Sequence, residues 1–111
     1  MSDTLLAPLV DAYAALQAIG PPVRLDGDPD PEGEQTELIV LALVSDTSRQ
    51  HYGGRTGTAR IQTTCYAQTV LDAAALDSLC ITALEAEGWQ HLQTRPAPDP
   101  QFTGLLSEFT R

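Results

Sequence analysis

Hydrophobic and polar residues alternate from Thr58 to Gln68, and the pattern then changes to helical spacing. Alternation with a period of two and several β-branched residues predicts a half-buried strand. One predicted face carries Arg60, Gln62, Thr64 and Tyr66, and the other carries Ala59, Ile61, Thr63, Cys65 and Ala67. The second face is the more apolar, so we expect it to meet the core.

A helix is predicted directly after this strand. Thr69 followed by Asp72 resembles a capping box, which starts a helix by satisfying its first backbone N–H groups. Gly88 ends the pattern, since glycine accepts the left-handed conformation common after a helix. The predicted apolar stripe is Ala73, Leu76, Leu79, Cys80, Ala83 and Leu84, with Ser78, Thr82 and Glu85 opposite.

An earlier helix is predicted over about residues 4–19, ended by Gly20-Pro21-Pro22. Pro8 leaves its start open, because proline is favoured in a first turn and disruptive later, so the helix begins either near residue 4 or at Pro8. Its apolar positions at helical spacing are Leu5, Leu6, Leu9, Val10, Tyr13, Leu16 and Ile19.

The remaining segments complete a predicted order of helix, strand, strand, helix, strand, strand. Residues 20–35 are an acidic loop rich in proline and glycine, which we expect to be flexible. The apolar run 36–45 predicts a central strand, and residues 46–57 a connection long enough to project from a hairpin. Residues 89–95 and 101–110 predict two further strands. This order predicts an α+β fold with a small antiparallel or mixed sheet of about four strands and two helices on one face.

Length and composition narrow the class of protein. The 111 residues indicate one domain, 1–111, with a modest core at 42% hydrophobic residues. No run reaches the roughly 20 apolar residues of a membrane span, and the first ten residues lack the basic start of a signal peptide. We therefore expect an intracellular protein. A net charge of −9 and the absence of lysine argue against nucleic-acid binding.

The acidic loop is the first candidate for chemistry. Asp26, Asp28, Asp30 and Glu37 match positions of a calcium-binding loop, but Pro31 stands where its sharp turn needs glycine. A solvated loop is the simpler interpretation, and a loop facing a partner or a lumen is the alternative. The acidic residues concerned are Asp26, Asp28, Asp30, Glu32 and Glu34.

Other reactive residues show no catalytic pattern. Cys65 and Cys80 are placed to pack against the same core, and we expect two buried thiols, with a disulfide left open. His51 falls in a loop and His91 in a predicted strand, without a nucleophile motif or paired metal ligands. Trp89 is expected to pack in the core. The sequence therefore predicts neither an enzyme nor a cofactor or metal site.

The stretch ARIQTTCYAQTVLDAAALDSLCITALEA (59–86) resembles the core of tail terminator, or tail completion, proteins of long-tailed bacteriophages and prophages. In that family a strand with a core like RVQIDCYA runs into a helix rich in alanine, leucine and acidic residues. The closing segment DPQFTGLLSEFTR (99–111) is similar to the family's closing DPETGLYR…DF strand. The opening helix, proline-rich loop and apolar strand follow the family order.

This resemblance implies a structural protein of the virion tail, assembled in the host cytoplasm. It implies a ring, expected to be a hexamer, that ends tail-tube polymerisation and joins the tail to the head connector. Its partners would be other copies, the tail-tube protein and the connector protein, and DNA would pass through an acidic lumen without specific binding. We place the interface on Arg49, His51, Tyr52 and Arg55, because arginine and tyrosine are enriched at interfaces.

Two alternatives remain open at this point. One is another ring component of the same particle, such as a head-completion or connector protein, which composition does not distinguish. The other is a small acidic adaptor or inhibitor that binds a basic partner through its acidic loop. The latter predicts a protein that stays monomeric at high concentration.

Overall fold

The computed structural model describes the backbone of residues 3–29, 36–46, 49–51, 54–56 and 59–111, and the side chains of residues 7–29, 36–44 and 59–111. Its described helices are α1 (Asp3–Gln17) and α2 (Val70–Ala86). Its described strands are β1 (Val23–Leu25), β2 (Leu38–Asp46), β3 (Arg49–His51), β4 (Gly54–Thr56), β5 (Ala59–Ala67), β6 (Gln90–Pro96) and β7 (Thr103–Thr110).

The main sheet is mixed and has the order β1-β2-β5-β7-β6. β1 runs parallel to β2, and the other neighbouring pairs are antiparallel. The α+β prediction is confirmed, but this sheet has five strands rather than about four. The additional strand is β1, which falls in the segment predicted as a loop. It is fixed by backbone hydrogen bonds, including Ile39 N to Pro22 O at 2.9 Å and Asp26 N to Leu41 O at 2.8 Å.

The strand-helix unit predicted after Thr58 is confirmed. Every second residue of β5 is buried, as its alternation predicts. Thr69 is the N-cap of α2 and accepts a hydrogen bond from the backbone N–H of Asp72 at 3.1 Å. At the other end Gly88 has φ +91°. Its N–H donates to Glu85 O and that of Trp89 to Leu84 O, a Schellman motif that satisfies the final carbonyls.

α1 begins at Asp3 and contains Pro8, which agrees with the earlier of the two predicted starts. Pro8 has no backbone N–H, so it cannot donate one of the helical hydrogen bonds. Two assignments to the predicted apolar stripes are wrong. Val10 of α1 is 60% exposed and Leu79 of α2 is 55% exposed, although both were assigned to apolar stripes. Each helix rests on the sheet along a narrow stripe, so residues at its margins reach solvent.

Both helices pack on one face of the main sheet, and the core lies between the helices and that face. The cross-strand partners Ile39, Cys65 and Leu105 share that face, as do Leu41, Thr63 and Ser107. Trp89 is 2% exposed, so its predicted core position is confirmed. The central cluster consists of Ala12, Leu16, Ile39, Leu41, Ala59, Ile61, Cys65, Leu76, Cys80, Leu84, Trp89 and Phe109.

The segment predicted as a connection, 46–57, contains strands. β3 and β4 pair antiparallel, with Arg49 opposite Thr56 and His51 opposite Gly54. They form a separate two-stranded sheet between β2 and β5 in the chain. The molecule measures 50 Å along its longest axis and 26 and 23 Å along the others. We call β3 and β4 the arm.

Candidate functional surfaces

The arm carries three of the four residues predicted to form an interface. Arg49 and His51 lie in β3 and Arg55 lies in β4, where it pairs with Gln50. Tyr52 falls outside the described residues, as do the side-chain positions of the other three. The backbone therefore brings Arg49, His51 and Arg55 into one small hairpin.

The acidic loop is described only in part. Asp26 and Asp28 follow β1 and are exposed, whereas Asp30, Glu32 and Glu34 lie outside the described residues. Arg24 Nη1 donates to the backbone oxygen of Asp28 at 2.8 Å, which ties the start of this loop to β1. Within the described part of the chain, no group of three or more His, Cys, Asp or Glu residues is placed to hold a metal ion.

The face of the main sheet turned away from the helices carries arginine on three strands. Cross-strand register places Arg24, Val40, Thr64, Leu106 and Arg95 in one row from β1 to β6. Arg60 of β5 shares this face, because it alternates with buried Ala59 and Ile61. We call this surface the arginine face.

One acid, Glu108 of β7, lies within the strands of the arginine face. Gln93 Nε2 donates to its Oε2, and Arg95 Nη1 lies 3.7 Å from the same oxygen. The hydrogen bond from Gln93 is the main cause that lowers the pKa of Glu108, and the positive charges of Arg95 and Arg60 add to it. Arg60 is exposed, and Arg95 is 53% exposed through its side chain, so both remain accessible to another molecule.

A cleft of about 200 Å³ opens at one end of the arginine face. The rings of Tyr66 and Phe102 lie 6.5 Å apart on its wall. Burial, followed by the Asp99 carboxylate, raises the pKa of Tyr66. The cleft is lined by Arg24, Leu38, Tyr66, Asp99, Gln101 and Phe102. This lining can hold a small polar group, but it contains no nucleophile paired with a base.

The opposite surface of the molecule, formed by the exposed residues of α1 and α2, has a different charge. Neither helix contains lysine or arginine. Asp11, Asp72 and Glu85 are exposed on it. Arg111, which follows the last strand of the sheet, places its Nη2 atom 3.0 Å from Asp11 Oδ2. Leu71 and Leu79 are 82% and 55% exposed along α2. We call this surface the helix surface.

A buried polar network joins α2 to the sheet. Asp77 is 5% exposed, and its Oδ1 accepts a hydrogen bond from Ser107 Oγ at 2.7 Å. Ser107 Oγ lies 2.6 Å from Thr94 Oγ1, which lies 2.8 Å from His91 Nε2. The serine is fully buried and is bonded to the aspartate rather than to a histidine, so it is not an activated nucleophile. Sequence spacing did not indicate this network.

The two cysteines meet in the core. Cys65 Sγ and Cys80 Sγ lie 3.5 Å apart as free, buried thiols, as the sequence predicted. The hydrogen bond between them, together with burial, raises the pKa of Cys65. A protonated, enclosed thiol is unreactive, so the pair is structural in this state.

The sequence indicated residues 46–57, which contain the arm, as a projecting segment. It did not indicate the arginine face, because β1 was assigned to a loop and the cross-strand pairing from β1 to β6 is not visible in the sequence. No helix among the described residues has both the length and the apolar content to cross a lipid bilayer. No known family model and no curated protein sequence matches the chain.

Proposed function

We propose that the protein is a tail terminator of a long-tailed phage or prophage. In this role it forms a ring, expected to be a hexamer, at the head-proximal end of the tail tube. The observation that carries the proposal is the arm, which holds Arg49, His51 and Arg55 on a hairpin separate from the main sheet. Such a hairpin suits contact with a neighbouring protein, because its strands are not part of the main sheet and can bind a partner without changing the core.

The resemblance over residues 59–86 and 99–111 also supports the proposal. These residues form β5, α2 and β7, and β7 pairs with β5 along its whole length. The two segments that resemble the family are thus neighbours in the fold. The role is structural and needs no catalysis or cofactor, and it places the protein in the virion tail after assembly in the host cytoplasm.

The proposed partners are other copies of the chain, the tail-tube protein and the head–tail connector. A net charge of −9 suits a ring around a channel through which DNA must slide without adhering. The acidic loop at 26–34 is proposed to face that channel or solvent, with Asp26 and Asp28 as its described acidic residues.

Electron microscopy of tails provides the test. Purified protein is added to tubes of the tail-tube protein encoded in the same genome, and end-capping and head joining are scored. We expect rings on tube ends with the wild-type chain, and their loss in an Arg49→Ala, Tyr52→Ala, Arg55→Ala variant. A Gln68→Ala variant, changed at an exposed position between β5 and α2, serves as the control.

Two outcomes would contradict this assignment. Capping that persists in the triple variant would move the interface off the arm. Binding to the connector without binding to tubes would favour the alternative of a head-completion or connector protein. A chain that binds neither and captures a basic partner through the acidic loop would be an adaptor.

A further inference from the structure

We propose that Cys65 and Cys80 are a latent disulfide, which forms between β5 and α2 when the protein meets an oxidising environment. The bond itself follows from the positions of the two thiols in the fold. Its timing rests on the proposed function, since a virion leaves the reducing cytoplasm of its host at lysis. Thiols stay reduced in such a cytoplasm and form disulfides outside it.

The path of the chain brings the two cysteines to the same level of the core. Cys65 lies four residues before Thr69, the N-cap of α2, which is about 13 Å along a strand. Cys80 lies ten residues beyond Val70, the first residue of α2, which is about 15 Å along a helix. Because α2 folds back over β5, these similar lengths place the two side chains opposite each other.

The two sulfur atoms are already in contact. Cys65 Sγ and Cys80 Sγ lie 3.5 Å apart, and both thiols are free and fully buried. A disulfide holds its sulfur atoms about 2.05 Å apart, so bond formation requires an approach of about 1.5 Å and no change in the order of the elements. The chain contains no other cysteine, so only one internal pairing exists.

The oxidant is a low-molecular-weight disulfide such as oxidised glutathione. One cysteine thiolate attacks a sulfur of this molecule, its S–S bond breaks, and one glutathione thiolate leaves. The second cysteine thiolate attacks the protein sulfur of the mixed disulfide and releases the second glutathione thiolate. The protein pair thus loses two electrons and two protons, which convert one oxidised glutathione into two reduced molecules.

Burial determines when this exchange occurs. The hydrogen bond from Cys80, together with burial, raises the pKa of Cys65 and keeps its thiol protonated. Exchange requires an ionised and accessible thiol, so the pair reacts only when α2 opens from β5 or before the chain has folded. The same enclosure then shields the finished disulfide from reductants. The bond therefore acts as a lock on the strand-helix unit rather than as a rapidly reversible switch.

The disulfide should stabilise the fold. It closes the segment between residues 65 and 80, a separation of 15 positions, which contains the connection from β5 to α2. Cross-linking a segment of this length restricts the unfolded chain, and we expect the oxidised protein to have a Tm about 10 °C higher than the reduced protein. Two thiols that serve only as packing groups would produce no such gain.

Controlled oxidation of the full chain tests the proposal. Reduced protein is incubated with oxidised glutathione, either in native buffer or at the midpoint urea concentration of unfolding, and is then returned to native buffer. Alkylation under denaturing conditions and intact mass measurement count the remaining free thiols, and thermal unfolding gives the Tm. We expect an internal disulfide that forms faster in urea, with a Tm gain of about 10 °C.

Two variants serve as matched controls. Cys65→Ala and Cys80→Ala each leave one thiol, which can form only a glutathione adduct or a dimer of two chains. Neither variant should gain thermal stability from the same treatment. Because reduced and oxidised wild-type protein are also compared directly, the test does not depend on whether the variants fold.

The outcomes distinguish this inference from the proposed function. Two free thiols after the urea treatment, adducts or dimers in place of the internal bond, or an oxidised Tm no higher than the reduced one would overturn the latent disulfide. Tube capping by protein that forms no such bond would leave the terminator proposal standing. A chain that forms the bond and gains stability, but does not bind tubes, would uphold the disulfide and refute the terminator.

Discussion

Ser107 of β7 donates a hydrogen bond to the buried carboxyl group of Asp77 in α2 at 2.7 Å. Thr94 of β6 adds a longer contact to the same carboxyl group at 3.5 Å. The network thus joins the helix to two strands at the edge of the sheet. A polar group buried between apolar layers must be satisfied by such partners, and this requirement fixes the rotation of α2 over β7.

Replacing Ser107 by alanine should therefore destabilise the fold. Asp77 would keep only the longer contact with Thr94, and a buried group without a full partner costs about 1–3 kcal/mol. Urea unfolding followed by tryptophan fluorescence measures the free energy of unfolding. Ser78→Ala is the matched control, because Ser78 is exposed on the same helix beside Asp77. Equal values for the two variants would contradict a stabilising role for this bond.

Stability should fall in alkaline solution because of Cys65. Its pKa is raised in the folded protein by the bond to Cys80 and by burial, whereas an unfolded thiol ionises near pH 8.5, as a rough reference. Unfolding above that pH releases a proton, so the free energy of unfolding decreases as pH rises, by up to about 1.4 kcal/mol per pH unit. Below the unfolded pKa the effect of Cys65 on the pH dependence disappears.

Unfolding in reducing buffer from neutral to alkaline pH measures this effect, with Cys65→Ser as the comparison. The variant should be less stable at neutral pH but should lose less stability on going to about pH 9.5. Parallel pH curves for the two proteins would show that Cys65 is not the cause. Tyr66, whose pKa is also raised, is present in both chains and adds the same slope to each at higher pH.

The sequence predicted those elements whose patterns are local. Each of three features depends only on a few neighbouring residues, and the structure contains all three. They are the alternation of β5, the N-cap at Thr69 and the end of α2 before Gly88. β1 was missed because a strand of three residues shows no period, and its identity depends on parallel pairing with distant β2.

Buried polar groups and surface charge patterns were beyond the reach of the sequence. Asp77 lies on the buried stripe of α2, but the spacing of residues in the sequence does not show that Ser107 of β7 donates a hydrogen bond to it. The arginine face depends on register across five strands, which places Arg24 and Arg95 at the ends of one row. Such groupings arise from tertiary pairing rather than from neighbouring residues.

The helix cap at Thr69 should have a measurable effect. Its hydroxyl accepts the Asp72 N–H at 3.1 Å, and loss of such a cap costs about 1 kcal/mol. Thr69→Ala should therefore unfold at lower urea concentration, while Thr69→Ser should retain most of the stability. Thr82→Ala, at an exposed position within α2, should be neutral or slightly stabilising, since alanine has the higher helix propensity. A Thr69→Ala variant as stable as wild type would show that water replaces the cap.

Gly104 of β7 should tolerate no larger residue. A methyl group there would overlap the carbonyl oxygen of Ala97 and press on the ring of Tyr66, and Ala97 N donates to Gly104 O at 2.9 Å in the same contact. Gly104→Ala should cost about 1–3 kcal/mol, because strand and turn must separate. Thermal unfolding measures the loss. Adding Tyr66→Leu should not restore stability, since the obstructing oxygen belongs to the backbone, and rescue by that change would show that the ring alone is the obstacle.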